Sequence, residues 1–483
     1  MCSFLILPLE VYKKVEIDRV NRYLKLRGPD KTNVTIYENY VFIHNLLHIC
    51  GEETSQPFVF EDEGIVALFN GEIYNYREFD ENYTSDGQCL IPLYKEFGEA
   101  FPQKLDGEFA IALFDFKNQI FLISTDIFAT KPIHYCIYGE SVLISSFGQT
   151  INDVLGYTSL SQSIKNSLTS RARIRPNRNS FMEKLAKHFP TSLPEVHRLS
   201  HNSTLSFSLS SFSQLQKSSI YTFNLLQHKD QYDDWNRAFE NAVLKRAAHT
   251  NDRKIFIALS SGHDSGAIAC CLEKHRKTFS SYTYFSKEDR PTLEKRLSSR
   301  GDNDTHTTLT LGSEEFRILA DNLRQVLVKM ENTKINSFDV VDHRASVALH
   351  KIMGISATKN ERIFLSGQGG DEIFSNYGRL GTQVNSGKFT ERHCTPFPED
   401  LESIFPWEHF FNRNMENFIK KEELIGSIHG VEVRYPFLDK LVVQEFLWLM
   451  AKLKNTYYKS CIHHYLSKNH YPVLDGFKMG FKV

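Results

Sequence analysis

The chain has 483 residues, 57 Lys and Arg against 58 Asp and Glu for a formal net charge of −1, and 41% hydrophobic residues. That length exceeds what one hydrophobic core usually supports, so two domains are expected. The balanced charge argues against nucleic acid or an anionic membrane surface as a partner, and no apolar run approaches the ~18 residues needed to cross a bilayer.

The chain opens Met-Cys-Ser-Phe-Leu-Ile-Leu-Pro-Leu-Glu, apolar but without a basic front end, which reads as a strand rather than a signal peptide. Eight cysteines lie scattered without CxxC or Cys/His metal spacing, which fits a reducing cytosol and a cytoplasmic location. Over residues 2–150, β-type runs follow one another at 4–9, 41–49, 65–69, 109–116, 120–124 and 142–144, with a helical stretch at 90–97. This predicts an α+β layered domain. Periodicity weakens over 151–228, where a Ser-rich stretch at 199–219 predicts a crossover or linker. Across 229–483, strands at 254–259, 281–285, 305–311 and 362–365 alternate with helical segments such as 316–328 and 345–353. Alternation of that kind predicts an α/β doubly wound parallel sheet, with ligands gathered at the carboxyl ends of its strands.

Two Gly-rich turns fall at such ends. The first runs from an apolar strand through Leu259, Ser260, Ser261, Gly262, His263, Asp264 and Ser265 into Ala267, Ile268, Cys271 and Leu272 at helical spacing. A Ser/Gly loop at a helix N-terminus points unpaired N–H groups at one spot with the dipole's positive end behind them, so it can hold a phosphate or pyrophosphate. Asp264 adds a hard oxygen ligand for Mg²⁺. The second turn, Ser366-Gly367-Gln368-Gly369-Gly370-Asp371-Glu372 after the strand Ile363-Phe364-Leu365, repeats the plan and offers Asp371 as a second metal ligand. Either loop alone also reads as a simple βα turn with a carboxylate cap.

At the front, removal of Met1 would expose the α-amine of Cys2 beside its own thiol, and an amine titrating near ~8 can serve as that thiol's base. Cys2 also reads as a small buried hydrophobe. Asn70-Gly71 alone reads as a type I′ hairpin turn.

Taken together these segments resemble the asparagine synthetase family. Ser260 to Ser265 looks like the pyrophosphate loop of ATP pyrophosphatases. The turn at Ser366, the segment Gly430-Val431-Glu432-Val433-Arg434-Tyr435-Pro436-Phe437-Leu438-Asp439, and Lys478-Met479-Gly480-Phe481 match three further family signatures in order. Arg27-Gly28-Pro29-Asp30, Asn70-Gly71-Glu72-Ile73-Tyr74-Asn75, Ser85-Asp86 and Leu105-Asp106-Gly107-Glu108-Phe109 look like landmarks of class II glutamine amidotransferases.

The resemblance implies an Ntn-hydrolase-like αββα front domain. There Cys2 attacks glutamine, Asn70 and the Gly71 N–H form the oxyanion hole, and Glu72 and Asp86 join Asn70 in binding glutamine, Asp86 at its α-ammonium. In the second domain it implies an ATP site made by Leu259, Ser260, Ser261, Gly262, Asp264, Ser265, Ser366, Gly367 and Arg434. Asp264 and Asp371 would hold Mg²⁺, and Lys478 would supply the catalytic cation. ATP would activate a small carboxylate, aspartate among the candidates, and ammonia from glutamine would form the amide. A homodimer is compatible with it.

Five departures from the family pattern stand out. Leu46 occupies the place of an Arg that binds glutamine's α-carboxylate, with His48 and Lys131 as candidate substitutes. Ser3 and Phe147 replace a Gly and a Glu, Ser261 replaces a Gly, and Gln368 replaces the Glu expected to accept a proton during amidation. They keep two alternatives open: the same chemistry on a sugar acid, a peptide or an intramolecular amide, and a catalytically reduced member acting as a binding or regulatory partner.

Overall fold

The computed structural model describes residues 2–156, 195–248, 250–284, 288–298, 300–301, 304–330, 344–374 and 396–473. In chain order the front strands are β1 (Ser3–Pro8), β2 (Lys31–Tyr37), β3 (Tyr40–Leu46), β4 (Phe58–Phe60), β5 (Ile65–Ile73), β6 (Gly107–Asp115), β7 (Ile120–Thr125), β8 (His134–Ile137), β9 (Val142–Ser145), β10 (His197–Arg198), β11 (Thr204–Ser208) and β12 (Gln214–Ser218). They form two six-stranded antiparallel sheets, ordered β10-β8-β9-β1-β3-β2 and β12-β11-β7-β6-β5-β4.

Strand alternation makes the layers. On β1, Phe4 and Ile6 pack with Val66, Leu68, Ala110 and Ala112 in the core between the sheets. Leu5 and Leu7 face the other way, into a second core that contains Val20 and Leu24 of the helix Ile17–Arg27. Likewise Ala67 and Phe69 of β5 share that second core with Leu90 and Leu93 of the helix Leu90–Phe97. A period of two with both faces apolar requires a partner on each side, and the result is the expected αββα sandwich. The stretch expected to be a crossover contributes instead to these sheets, since β11 pairs with β7 and β10 with β8. Its Ser-rich composition concealed a strand pattern whose apolar members, Leu205 and Phe207, alternate with Thr204, Ser206 and Ser208.

The second domain is built on β13 (Lys254–Ala258), β14 (Ser280–Tyr284), β15 (Thr305–Leu309), β16 (Glu361–Leu365) and β17 (Glu432–Arg434). All four pairings are parallel, in the order β15-β14-β13-β16-β17. The order reverses between β13 and β16, so the switch point of the sheet lies between the two strands that carry the Gly-rich turns. Among the described residues no helix is long and apolar enough to cross a membrane.

Buried charges join the domains. Glu423, on the helix Asn414–His429, receives Arg27 Nη2 at 2.6 Å and Lys131 Nζ at 2.9 Å from the front domain. Glu108 of β6 receives Arg246 Nε at 2.7 Å, and Arg246 also reaches Asp439 at 2.8 Å. Each of these side chains is at most 3% exposed. Removing one partner of such a pair strands a charge in a low-dielectric interior. Lys131→Met is therefore expected to destabilise the folded protein by about 3–5 kcal/mol, read as a fall in the urea midpoint. A loss under about 1 kcal/mol would contradict the network's role.

Candidate active sites

The first Gly-rich turn leaves β13 at Leu259, whose N–H donates to the Tyr282 carbonyl at 2.9 Å and whose carbonyl accepts from Thr283 Oγ1 at 2.7 Å. Leu259 thus anchors the loop to the sheet, with its side chain buried away from the hollow. Ser265 Oγ accepts the Ser260 N–H at 3.0 Å, Ser260 Oγ accepts the Gly262 N–H at 3.1 Å, and Gly262 is the N-cap of the helix His263–Lys274. Arg296 donates to the carbonyls of Ser260 at 2.5 Å and Gly262 at 2.9 Å, fixing the loop from behind. Ser261 is turned inward: its N–H and Oγ both donate to the Glu288 carboxylate, at 2.6 and 2.5 Å.

The second turn meets the first directly. A Cβ at Gly367 would lie 2.9 Å from Asp264 Cβ, and one at Gly370 would lie 2.4 Å from Asp264 Oδ1. A side chain at either position would have to push Asp264 aside. The two turns enclose one hollow, shared by Ser260, Asp264, Gly367, Asp371 and Glu422. Two carboxylates, with hydroxyl and backbone oxygens nearby, make a hard donor set of the kind Mg²⁺ takes, so the residues present fit that ion. Between the carboxylates lies Lys459, whose Nζ is 2.7 Å from Asp264 Oδ1 and 2.9 Å from Asp371 Oδ1.

Glu422 answers the departure at Gln368. Its carboxylate accepts from Ser366 Oγ at 2.6 Å and, at 3.4 Å, from Gln368 Nε2. Burial pushes its pKa up to about 7, against the opposing effect of Lys421 and these hydrogen bonds. A carboxylate that titrates near neutrality in the hollow can accept a proton there.

Arg434 is not brought to this hollow. It is 1% exposed at the domain interface, with Nε 2.6 Å from Glu432 and Nη2 3.1 Å from Glu72 of the front domain. Strand β17 turns its side chain toward β5, so its placement among the nucleotide-binding residues is corrected to an interdomain ion pair. Lys478 lies outside the described residues.

In the front domain Cys2 precedes β1 and is nearly buried, which pushes its thiol up to about 11. A nucleophilic thiolate there requires an adjacent base. Asn70 and Gly71 lie inside β5, paired with Ala110 and Phe109 of β6, which overturns the hairpin-turn reading. Gly71 has φ +138°, and a Cβ there would fall 1.8 Å from the Glu108 carbonyl oxygen. Both amide atoms of Asn70 are buried without a hydrogen-bond partner. A stranded buried amide is costly and suits a site that a ligand completes.

Asp86 begins a short 3₁₀ turn, and its Oδ2 accepts the Ile73 N–H at 3.0 Å. Burial raises Asp86 to about 7, while burial and then the neighbouring Glu432 raise Glu72 to about 8. Cys2, Leu46, Gly71, Glu72, Asp86 and Glu432 line one pocket, and among its described lining residues there is no Lys or Arg. His48 lines it as well, whereas Lys131 is committed to Glu423, Glu108 and the Val433 carbonyl.

Sequence reasoning missed Lys459 and Glu422. Lys459 stands in a polar run with no motif around it, and Glu422 sits in Lys420-Lys421-Glu422-Glu423, which reads as a solvated helix face. Only the burial of that face, 6% and 2% exposure for the two glutamates, reveals otherwise.

Comparison with known proteins agrees with both halves. Residues 1–204 match the model of the glutamine amidotransferase domain, and residues 234–395 match that of asparagine synthase. Asparagine synthetase [glutamine-hydrolyzing] 2 of Oryza sativa subsp. japonica is 24% identical over 91% of this chain and 68% of its own length. A putative asparagine synthetase [glutamine-hydrolyzing] 1 of Methanocaldococcus jannaschii is 23% identical over 95% of this chain and 83% of its own length. A solved glutamine phosphoribosylpyrophosphate amidotransferase from B. subtilis shares 10% identity at a TM-score of 0.31 over 53% of this chain and 60% of that one, a likeness too slight to add to the fold described above. Both domain models match in order, so the chain carries a glutamine amidotransferase domain followed by an asparagine synthase domain, and it is similar to asparagine synthetases over nine-tenths of its length.

Proposed function

We propose that the chain is a glutamine-hydrolysing, ATP-dependent amide ligase that joins ammonia to a small carboxylate, aspartate first among the candidates, with release of AMP and pyrophosphate. The observation that carries this reading is the single hollow formed where Gly367 and Gly370 close on Asp264. A carboxylate does not react with ammonia because oxide is a poor leaving group, and transfer of AMP to it supplies a good one. In the hollow, Ser260, Gly262 and Ser265 at the helix N-terminus receive the pyrophosphate. Asp264 and Asp371 hold Mg²⁺, which when bound neutralises phosphate charge. Glu422, positioned by Ser366 and Gln368, takes the proton lost as ammonia adds to the activated acyl group.

At the front, Cys2 attacks the side-chain amide of glutamine, and its α-amine, freed by removal of Met1, serves as base. Asn70 and the Gly71 N–H receive the developing oxyanion, and Asp86 pairs with the α-ammonium. Leu46 leaves the α-carboxylate without a cation among the described lining residues, so glutamine binds weakly for this family. Losing one charge-assisted hydrogen-bonded pair costs about 1.5–3 kcal/mol.

Cys2→Ala is expected to abolish turnover with glutamine while leaving turnover with ammonium salt within about threefold. Equal loss with both nitrogen sources would place Cys2 outside the ammonia-producing step. Glu422→Gln is expected to keep the single-turnover burst of carboxylate-dependent pyrophosphate release within about threefold while lowering amide formation about 10²–10⁴-fold. Because the base form of Glu422 accumulates as pH rises through about 7, wild-type amide formation at a fixed concentration of unprotonated ammonia should climb from pH 6 to 8 and then level. The variant should lack that limb. An unchanged limb in Glu422→Gln would assign the proton to another group.

A further inference from the structure

Lys459 lies where the two candidate metal ligands meet. Its ammonium contacts Asp264 at 2.7 Å and Asp371 at 2.9 Å, and its side chain is 3% exposed. The neighbouring Tyr458 hydroxyl also donates to Asp371. Lys459 is the N-cap of the helix Ser460–Lys468 and has φ 51° and ψ 53°, the left-handed region that a residue with a side chain seldom adopts. Surrounding structure has to hold it there, so the backbone as well as the two carboxylates fixes the ammonium.

Two carboxylates drawn together by the approach of the Gly-rich turns repel unless a cation lies between them. Lys459 supplies that cation from within the chain. A divalent ion coordinated by the same oxygens at about 2.1 Å would occupy the same space. Ammonium and metal therefore exclude one another at this spot.

We propose that Lys459 is an internal counter-ion that holds Asp264 and Asp371 in register in the nucleotide-free protein and is displaced when a divalent ion binds between them. This rests on reading the hollow as a metal–nucleotide site. Displacement opposes metal binding in the empty protein and becomes easier once phosphate offers the released ammonium another anion. Lys459 is then a positioning residue that makes metal and nucleotide bind together.

The test uses the full chain and Mn²⁺ as probe, with free Mn²⁺ followed by electron paramagnetic resonance, with and without a non-hydrolysable ATP analogue. Lys459→Met is expected to bind Mn²⁺ at least about tenfold more tightly than wild type without nucleotide and to lose most of the gain that nucleotide brings. Lys459→Arg, which keeps the charge, should bind as weakly as wild type. Lys459→Gln reads the same comparison as Lys459→Met should the latter not fold. Added Mn²⁺ should raise the thermal midpoint of the charge-removed variant more than that of wild type. A purely structural lysine predicts the reverse: folded Lys459→Met or Lys459→Gln binding Mn²⁺ no better than wild type overturns the proposal. If wild type binds no Mn²⁺ even with nucleotide, the metal reading of the hollow fails as well, a result distinct from equal binding by all variants.

Discussion

The structure of the second domain turns on the approach of Asp264 to the backbone of the second Gly-rich turn. A side chain at Gly367 would press on Asp264 Cβ, and one at Gly370 would displace its carboxylate. With β13 and β16 paired at the centre of the sheet, this close approach lets the carboxylates of Asp264 and Asp371 reach one ammonium. A cluster of like charges is normally costly. Here it is held by Lys459, whose backbone lies in the left-handed region at φ 51° and ψ 53°.

The two pockets share their supporting elements. Glu422 and Glu423 are consecutive on one helix; the first accepts from Ser366 in the nucleotide hollow, and the second receives Arg27 and Lys131 from the front domain. Strand β17 does the same on a smaller scale. The Arg434 carbonyl accepts the Ser366 N–H at 2.9 Å while its guanidinium lies beside Glu72 in the front pocket wall. Rigid, fully buried contacts of this kind set the geometry between the two pockets.

Much of this was legible in the chain itself, and the failures have identifiable causes. The apolar runs at β1, β5, β6 and β7, and the alternation after residue 230, gave the layers correctly because period and burial agree there. The strands β10 and β12 were hidden because they are short or polar edge strands, and β11 because Thr204, Ser206 and Ser208 separate its two apolar residues, so β-propensity carries little information there. Both Gly-rich turns could be read because two of them close apolar strands and each carries an aspartate, a pairing that simple βα turns do not require. Asn70-Gly71 misled as a turn because its positive φ serves close passage past Glu108 within a strand. Lys459, Glu422 and the true position of Arg434 depend on which face of an element is buried, and charged residues conceal that in a single sequence.

The measurement that bears most directly on the central claim is the identity of the products made from ATP, followed by phosphorus NMR with aspartate and other small carboxylates in turn and ammonium as nitrogen source. The account predicts AMP and pyrophosphate in step with amide, abolished in Asp264→Asn. ADP and orthophosphate, or pyrophosphate release that persists undiminished without Asp264, would contradict it.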